Sequence, residues 1–266
     1  MRIIKHFFAD LLRERTAKHK NSIIVVVGQT GSGKSYSSLS LAEKLDKNFN
    51  VKRICFNAKD FMGIIKEKPP AGSVLVMDEA GVAMSSRQWF SQINKLISFV
   101  NQVYRKYQLI TFFVLPDLSF LDVQVRKLAH FYLEPMNINF QSKTCHLKLL
   151  RMQTNSRTGK PYFHSFETAP NEFLSTTDIK APSKRLVNAY ERKKDAFLAQ
   201  FTKGVYEELS KVKEDSKDVL TPLEKEIIKL RKQGLQQKEI AKKLNYSTEK
   251  ISFAIKHASK ILGKVL

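Results

Sequence analysis

The chain has 266 residues, 42% hydrophobic and 27% charged, and no stretch approaches the roughly 18 uninterrupted apolar residues of a membrane-spanning helix, so no transmembrane segment is predicted. Lys and Arg total 46 against 25 Asp and Glu, a formal +21, with 25 basic and 13 acidic residues over 1–177 and 21 and 12 over 178–266. Both parts should therefore face a polyanion, nucleic acid ahead of an anionic membrane surface, and the length suits two modules.

Residues 3–15 place Ile3, Ile4, Phe7, Phe8, Leu11 and Leu12 on one face of a helix whose other face is mostly charged. Packing against the following domain or a neighbouring subunit is expected; docking of residues 2–15 on a membrane is the alternative. The run is interrupted by Lys5, His6 and Asp10 and lacks a small-residue cleavage site, so it does not read as a secretory signal. Cys55 and Cys145 show no metal-ligand spacing, which predicts free thiols in a reducing cytoplasm.

Ile23–Val27 is a β-branched strand that runs into GQTGSGKS, where Gly28, Gly33, Lys34 and Ser35 meet the pattern G-x-x-x-x-G-K-[ST] and Gly31 is an additional glycine. Glycines let the loop's backbone N–H groups turn inward around a polyphosphate, and a helix from Lys34 to about Lys44 points its positive end at the same anion. The expected nucleotide contacts are Gly28, Gln29, Thr30, Gly31, Ser32, Gly33, Lys34, Ser35 and Tyr36. This unit resembles P-loop NTPases, which implies that Lys34 holds the β- and γ-phosphates and that Ser35 ligates Mg²⁺.

Lys52–Asn57 reads as a second strand, followed by a helix over Asp60–Lys66 and a break at Pro69-Pro70. Val74–Met77 then delivers Asp78 and Glu79 at its carboxyl end, the edge where open α/β sheets bind ligands. Asp78 corresponds to the aspartate that holds Mg²⁺ in P-loop enzymes. Glu79 is a carboxylate placed to orient and deprotonate a water. The acidic pair and the strand between it and the loop resemble the additional-strand, catalytic-glutamate branch of P-loop ATPases; no guanine-specifying N-K-x-D is present. A helix over Trp89–Tyr107 covers the sheet, Leu109–Leu115 is the next buried strand, and FLDVQVRKLAH supplies a short helix. Phe131–Phe140, Cys145–Gln153 and Tyr162–Phe166 alternate as strands, with a hairpin turn at NSRTGKP. Phosphoryl transfer needs a cation at the γ-phosphate; Arg126 of the neighbouring subunit is the first choice, with Arg105 and Arg87 behind it.

Over about residues 20–167, GQTGSGKS, VLVMDEAG, the arginine-bearing helix and FLDVQVRKL with its terminal hairpin resemble the FtsK-HerA superfamily, in particular the zonular-occludens-toxin-like ATPases of phages, plasmids and archaeal mobile elements. The resemblance implies a ring-forming homo-oligomer, often a hexamer, that moves, packages or exports DNA. One departure is that the strand after the acidic pair ends Leu115-Pro116, where such motors commonly carry a polar sensor; Asp117 and Ser119 are the nearest substitutes.

Beyond residue 178 a charged helical run extends from about Ser183 to Lys213, with Leu186, Tyr190, Phe197, Phe201 and Tyr206 as apolar anchors, and EDSKD at 214–218 reads as a hinge. Pro222 suits the first turn of a helix to about Gln233, Gln236–Leu244 forms a second, and Ser247 caps a third that runs to about Leu262. Through Leu220-Thr221, Glu224, Ile227, Gly234, Lys238-Glu239-Ile240-Ala241, Leu244, Ser247 and Ile251 this tail resembles the helix-turn-helix of LuxR-type regulators and of the fourth region of sigma factors. In that fold the third helix enters the major groove, which implies base contacts from Thr248, Glu249, Lys250, Ser252 and Phe253 and phosphate contacts from Lys256 and Lys260. Lys238, Lys242 and Lys243 would grip the backbone from the second helix, in a segment, 221–266, with eleven basic residues against four acidic.

The expected fold is α/β, a P-loop NTPase with a mainly parallel central sheet and an antiparallel extension, plus a small all-α helix-turn-helix domain. Its expected parts are an N-terminal helix over 1–20, the ATPase domain over 21–177, a helical connector over 178–218 and the tail over 219–266. The expected activity is Mg²⁺-dependent ATP hydrolysis coupled to translocation, packaging or remodelling of duplex DNA. The alternative is a nucleotide-switched DNA-binding regulator of a mobile element.

Overall fold

Why the strand before the glycine loop forms the centre of the sheet follows from its side chains. In this computed structural model, which describes residues 3–78, 91–98, 107–155, 157–218 and 220–262, every residue of β1 (Ser22–Val27) is buried. A strand that is apolar on both faces needs cover on both, and β1 lies inside the sheet between two parallel partners. These are β4 (Ile110–Leu115), in register from Ser22 opposite Ile110 to Val27 opposite Leu115, and β5 (Phe131–Asn139). With β3 (Val74–Met77), β2 (Ile54–Cys55), β6 (Thr144–Thr154) and β10 (Thr176–Lys180), the strand order is β10-β6-β5-β1-β4-β3-β2. The half from β5 to β2 is parallel; β5, β6, β10 and a side pairing of β6 with β7 (Pro161–His164) are antiparallel. Strand β4 thus sits between the strand that leads into the loop and the strand that ends at Asp78. The fold is mixed α/β, with a central, mostly parallel sheet. A separate hairpin joins β8 (Phe166–Ala169) to β9 (Glu172–Leu174).

Period-2 alternation divides the strand side chains between two cores. Ile24, Val26, Val76, Phe112 and Val114 face one layer, with Phe8 and Leu12 of α1 (Ile3–Ala17), Leu39 of α2 (Lys34–Leu45), and Leu186 and Tyr190 of α6 (Lys184–Asp218). Ile23, Val25, Val27, Met77 and Phe113 face the other. There they meet Phe61 and Ile65 of α3 (Ala58–Lys66), Ile93, Leu96 and Ile97 of α4 (residues 91–98), and Val125 of α5 (Val123–Arg126). Each such fully buried aliphatic or aromatic side chain contributes on the order of 1.5–3 kcal/mol.

Several elements differ from expectation: the strand expected over Tyr162–Phe166 is split between β7 and β8, which lie in different sheets, and β9 and β10 have no counterpart in the expected elements. The second strand is only Ile54–Cys55, preceded by a 3₁₀ turn at Val51–Arg53. Asn50 caps that turn by accepting from the Lys52 N–H, and Asn57 caps α3 by accepting from the Asp60 N–H, so capping at both ends leaves two residues for the sheet. The expected hinge at 214–218 is helical, since α6 continues to Asp218. Cys55 and Cys145 are free and buried; burial pushes the Cys55 thiol up to about 12, which makes it inert.

The chain forms two compact units, Met1–Phe201 and Thr202–Leu266. In the second, α7 (Pro222–Lys232), α8 (Gln237–Leu244) and α9 (Thr248–Leu262) enclose Ile227, Ile240, Ile251 and Ile255. Among the described residues no helix is long and apolar enough to cross a membrane.

Candidate functional site

The loop after β1 is built to come close to something small. Gly28 sits at φ 151°, and a Cβ there would stand 2.9 Å from Ser32 Oγ; Gly33, at φ 95°, precedes α2 in the left-handed region. Lys34, buried, bends back so that its Nζ donates to the carbonyls of Gly28 at 2.5 Å and Gln29 at 2.9 Å. Ser32 Oγ is buried and, among the described residues, has no hydrogen-bond partner, an orphan that a phosphate oxygen would satisfy. Gln29, Thr30, Gly31 and Tyr36 are exposed along the same turn.

At the end of β3, Asp78 is 2% exposed, and Ser35 Oγ donates to its Oδ1 at 3.0 Å. Two residues 43 positions apart are thereby brought together. A hydroxyl beside a carboxylate is a hard-oxygen donor set that suits Mg²⁺, which takes one or two protein ligands and fills its shell with water and phosphate. The other Asp78 oxygen, Oδ2, accepts from the Tyr190 hydroxyl of α6. Burial first, and then the Asp78 charge, raise the Tyr190 phenol above its ordinary range, so it remains the donor. Tyr36 O–H donates to Glu191 Oε1 at 2.9 Å. A cavity of about 810 Å³ opens here, lined by Thr30, Lys34, Ser35 and Asp78 and by Ile138, Phe140 and Leu198.

On the other flank Asp117 caps a 3₁₀ turn at Leu118–Phe120, its Oδ1 accepting from the Ser119 N–H at 2.6 Å; the Ser119 hydroxyl first, and then this N–H, hold its carboxyl below the usual range. It shares a second cavity with Gln29 and Ser32. Arg126 is half-buried, and its Nε and Nη2 donate to the carbonyls of Leu121 at 2.7 Å and Ser119 at 3.3 Å. Glu79, Arg87 and Arg105 lie outside the described residues. Sequence reasoning gave Tyr190 only the part of an apolar anchor. Its hydroxyl reaches a residue 112 positions away, and no local pattern signals that.

In the second unit, Lys238, Lys242, Lys243, Thr248, Glu249, Lys250, Phe253 and Lys256 are exposed and Ser252 is half-buried. Ile251, Ala254, Ile255 and Ala258 turn inward, so the outer face of α9 carries the polar and basic residues together with Phe253, 75% exposed. Ser247 accepts from the Lys250 N–H at 3.3 Å, and Lys250 Nζ lies 4.2 Å from the centre of the Tyr246 ring. His257 of α9 meets Glu224 of α7 at 2.7 Å, and Glu224 completes a capping box with Thr221.

No family model matches the chain, and no curated protein sequence matches it significantly. Among solved structures it is similar to the N-terminal domain of zonular occludens toxin from Neisseria meningitidis, at 16% identity and a TM-score of 0.33 over 56% of this chain and 95% of that domain. Likeness at that level is too low to carry function from one protein to the other.

Proposed function

We propose that the chain is a Mg²⁺-dependent ATPase whose turnover is coupled to translocation, packaging or remodelling of DNA, with α7–α9 binding duplex DNA as a helix-turn-helix. The observation that carries the reading is the meeting of Ser35 and Asp78 at 3.0 Å beside a glycine loop spanned by Lys34. In this reading Lys34 and the loop N–H groups hold the β- and γ-phosphates. Ser35 and Asp78 hold Mg²⁺, which when bound neutralises phosphate charge. Glu79, next in sequence to Asp78, takes the proton of the attacking water. Arg126 from a neighbouring copy meets the γ-phosphate in a homo-oligomer, a hexameric ring on the family resemblance. The DNA reading is supported by the basic outer face of α9.

The test is ATP hydrolysis with and without duplex DNA. DNA should raise turnover, and Glu79→Gln should lower it by about 100-fold or more while nucleotide still binds. A rate indifferent to DNA, together with intact DNA function in Glu79→Gln, would instead favour a nucleotide-switched regulator.

A further inference from the structure

The first half of α6 is fastened to the elements that carry the phosphate loop. Its N-terminus is held by Glu43 of α2, which accepts from the Ser183 N–H at 2.9 Å and from the Ser183 hydroxyl. One turn past the loop Tyr36 O–H donates to Glu191, and Lys193 Nζ donates to the carbonyls of Val51, at 3.1 Å, and Ile54 at the start of β2. Between these anchors stands Tyr190, 1% exposed, its ring against Tyr36 at 6.3 Å and Phe56 at 6.1 Å. Its hydroxyl is spent on Asp78 Oδ2 while Ser35 takes Oδ1, so the two bonds fix the rotation of a buried carboxylate and keep Oδ1 turned towards the Ser35 hydroxyl. Outer partners of this kind tune metal affinity by about 10–100-fold, because they hold the ligand in the orientation that binds.

Resting on the magnesium–nucleotide reading of that loop, we propose that Tyr190 is a positioning residue for the Mg²⁺-binding carboxylate and makes the first half of α6 a sensor of the bound metal. Linkage requires the effect to run both ways: if docking of α6 favours Mg²⁺, then Mg²⁺ favours docking of α6 by the same factor. Tyr190 is the contact through which that factor acts. Tyr36–Glu191 and Ser183–Glu43 hold α6 in place but do not touch Asp78.

Tyr190→Phe separates the two roles, because it keeps the ring between Tyr36 and Phe56 and removes only the hydroxyl. The full chain is titrated with Mg²⁺ in the presence of AMP-PNP, a non-hydrolysable ATP analogue, and analogue binding is followed by fluorescence or calorimetry. The Mg²⁺ concentration at half-saturation should rise about tenfold or more in Tyr190→Phe. Affinity for the analogue in excess EDTA should match the wild type. As a second measurement, which needs no variant, hydrogen exchange of amides 186–200 in the wild type should slow with AMP-PNP and Mg²⁺ relative to AMP-PNP in EDTA. Wild-type binding of the Mg²⁺ complex with an unmoved titration in Tyr190→Phe, or with α6 exchange blind to Mg²⁺, overturns the proposal and leaves the nucleotide reading standing. A wild type that binds no nucleotide overturns both.

Discussion

His130 shows what a single half-buried residue imposes on the loop-bearing strand. Its Nδ1 accepts from the Ile23 N–H at 3.1 Å, and its own backbone N–H donates to the Ile23 carbonyl at 2.8 Å, so the imidazole serves as a neutral rung beside β1. Burial, with Arg15 and Lys20 adding positive charge nearby, lowers its pKa from 6.5 to about 3. The unfolded chain binds this proton near pH 6.5 and the folded one does not, so the contribution is complete above pH 6.5 and is lost as pH falls towards 3. Stability of the first unit should therefore drop by up to about 1.4 kcal/mol per pH unit between pH 6.5 and 5, above most carboxylate titrations. His130→Asn, which keeps an acceptor in place but does not titrate, should flatten that slope in denaturant unfolding; parallel profiles for the two proteins would refute the role. Nothing in the sequence around His130 marks it, because its partner lies 107 positions away. By contrast the loop from Gly28 to Ser35 is legible, since strand, turn and helix are contiguous and each residue's conformational need can be read locally.

At the scale of elements, α9 is legible for the same reason. Ser247 stands where a cap is needed, and the apolar positions Ile251, Ala254, Ile255 and Ala258 recur at helical spacing, which leaves the opposite face for solvent or a partner. If that face meets duplex DNA, Lys256→Ala should weaken binding to all sequences alike and reduce the slope of log affinity against log salt by about one. Phe253→Ala should weaken binding without changing the slope. Equal slopes for wild type and Lys256→Ala in a salt series of binding isotherms would remove Lys256 from the phosphate contacts. Strand β2 is less legible: Ile54, Cys55 and Phe56 at the centre of KRICFN suit a longer strand, and the side-chain caps at Asn50 and Asn57, which depend on the folded turns, shorten it to two residues.

For the whole molecule, the order of strands could be anticipated only through family resemblance, because composition and periodicity do not say which strands are neighbours. The excess of 21 positive charges is spread over the sequence of both units, which makes long-range attraction to a polyanion a property of the full chain. The catalytic reading also reaches beyond one copy. Subunits carrying Arg126→Ala and subunits carrying Glu79→Gln should be nearly inactive alone, and a mixture should recover part of the ATPase rate if each supplies what its neighbour lacks. A blend no faster than either parent would show that Arg126 does not act across subunits.

The central place of β1 has a consequence for how the chain is made. Residues 22–27 leave the ribosome well before their partners on the two sides, residues 110–115 and 131–133. Until those emerge, SIIVVV is an uncharged, β-prone hexapeptide with no strand on either edge, the composition that seeds intermolecular pairing. The same apolar character that anchors the glycine loop thus makes nascent chains that have not yet reached residue 110 prone to aggregation, and gives synthesis of the β4 and β5 segments the role of closing that window.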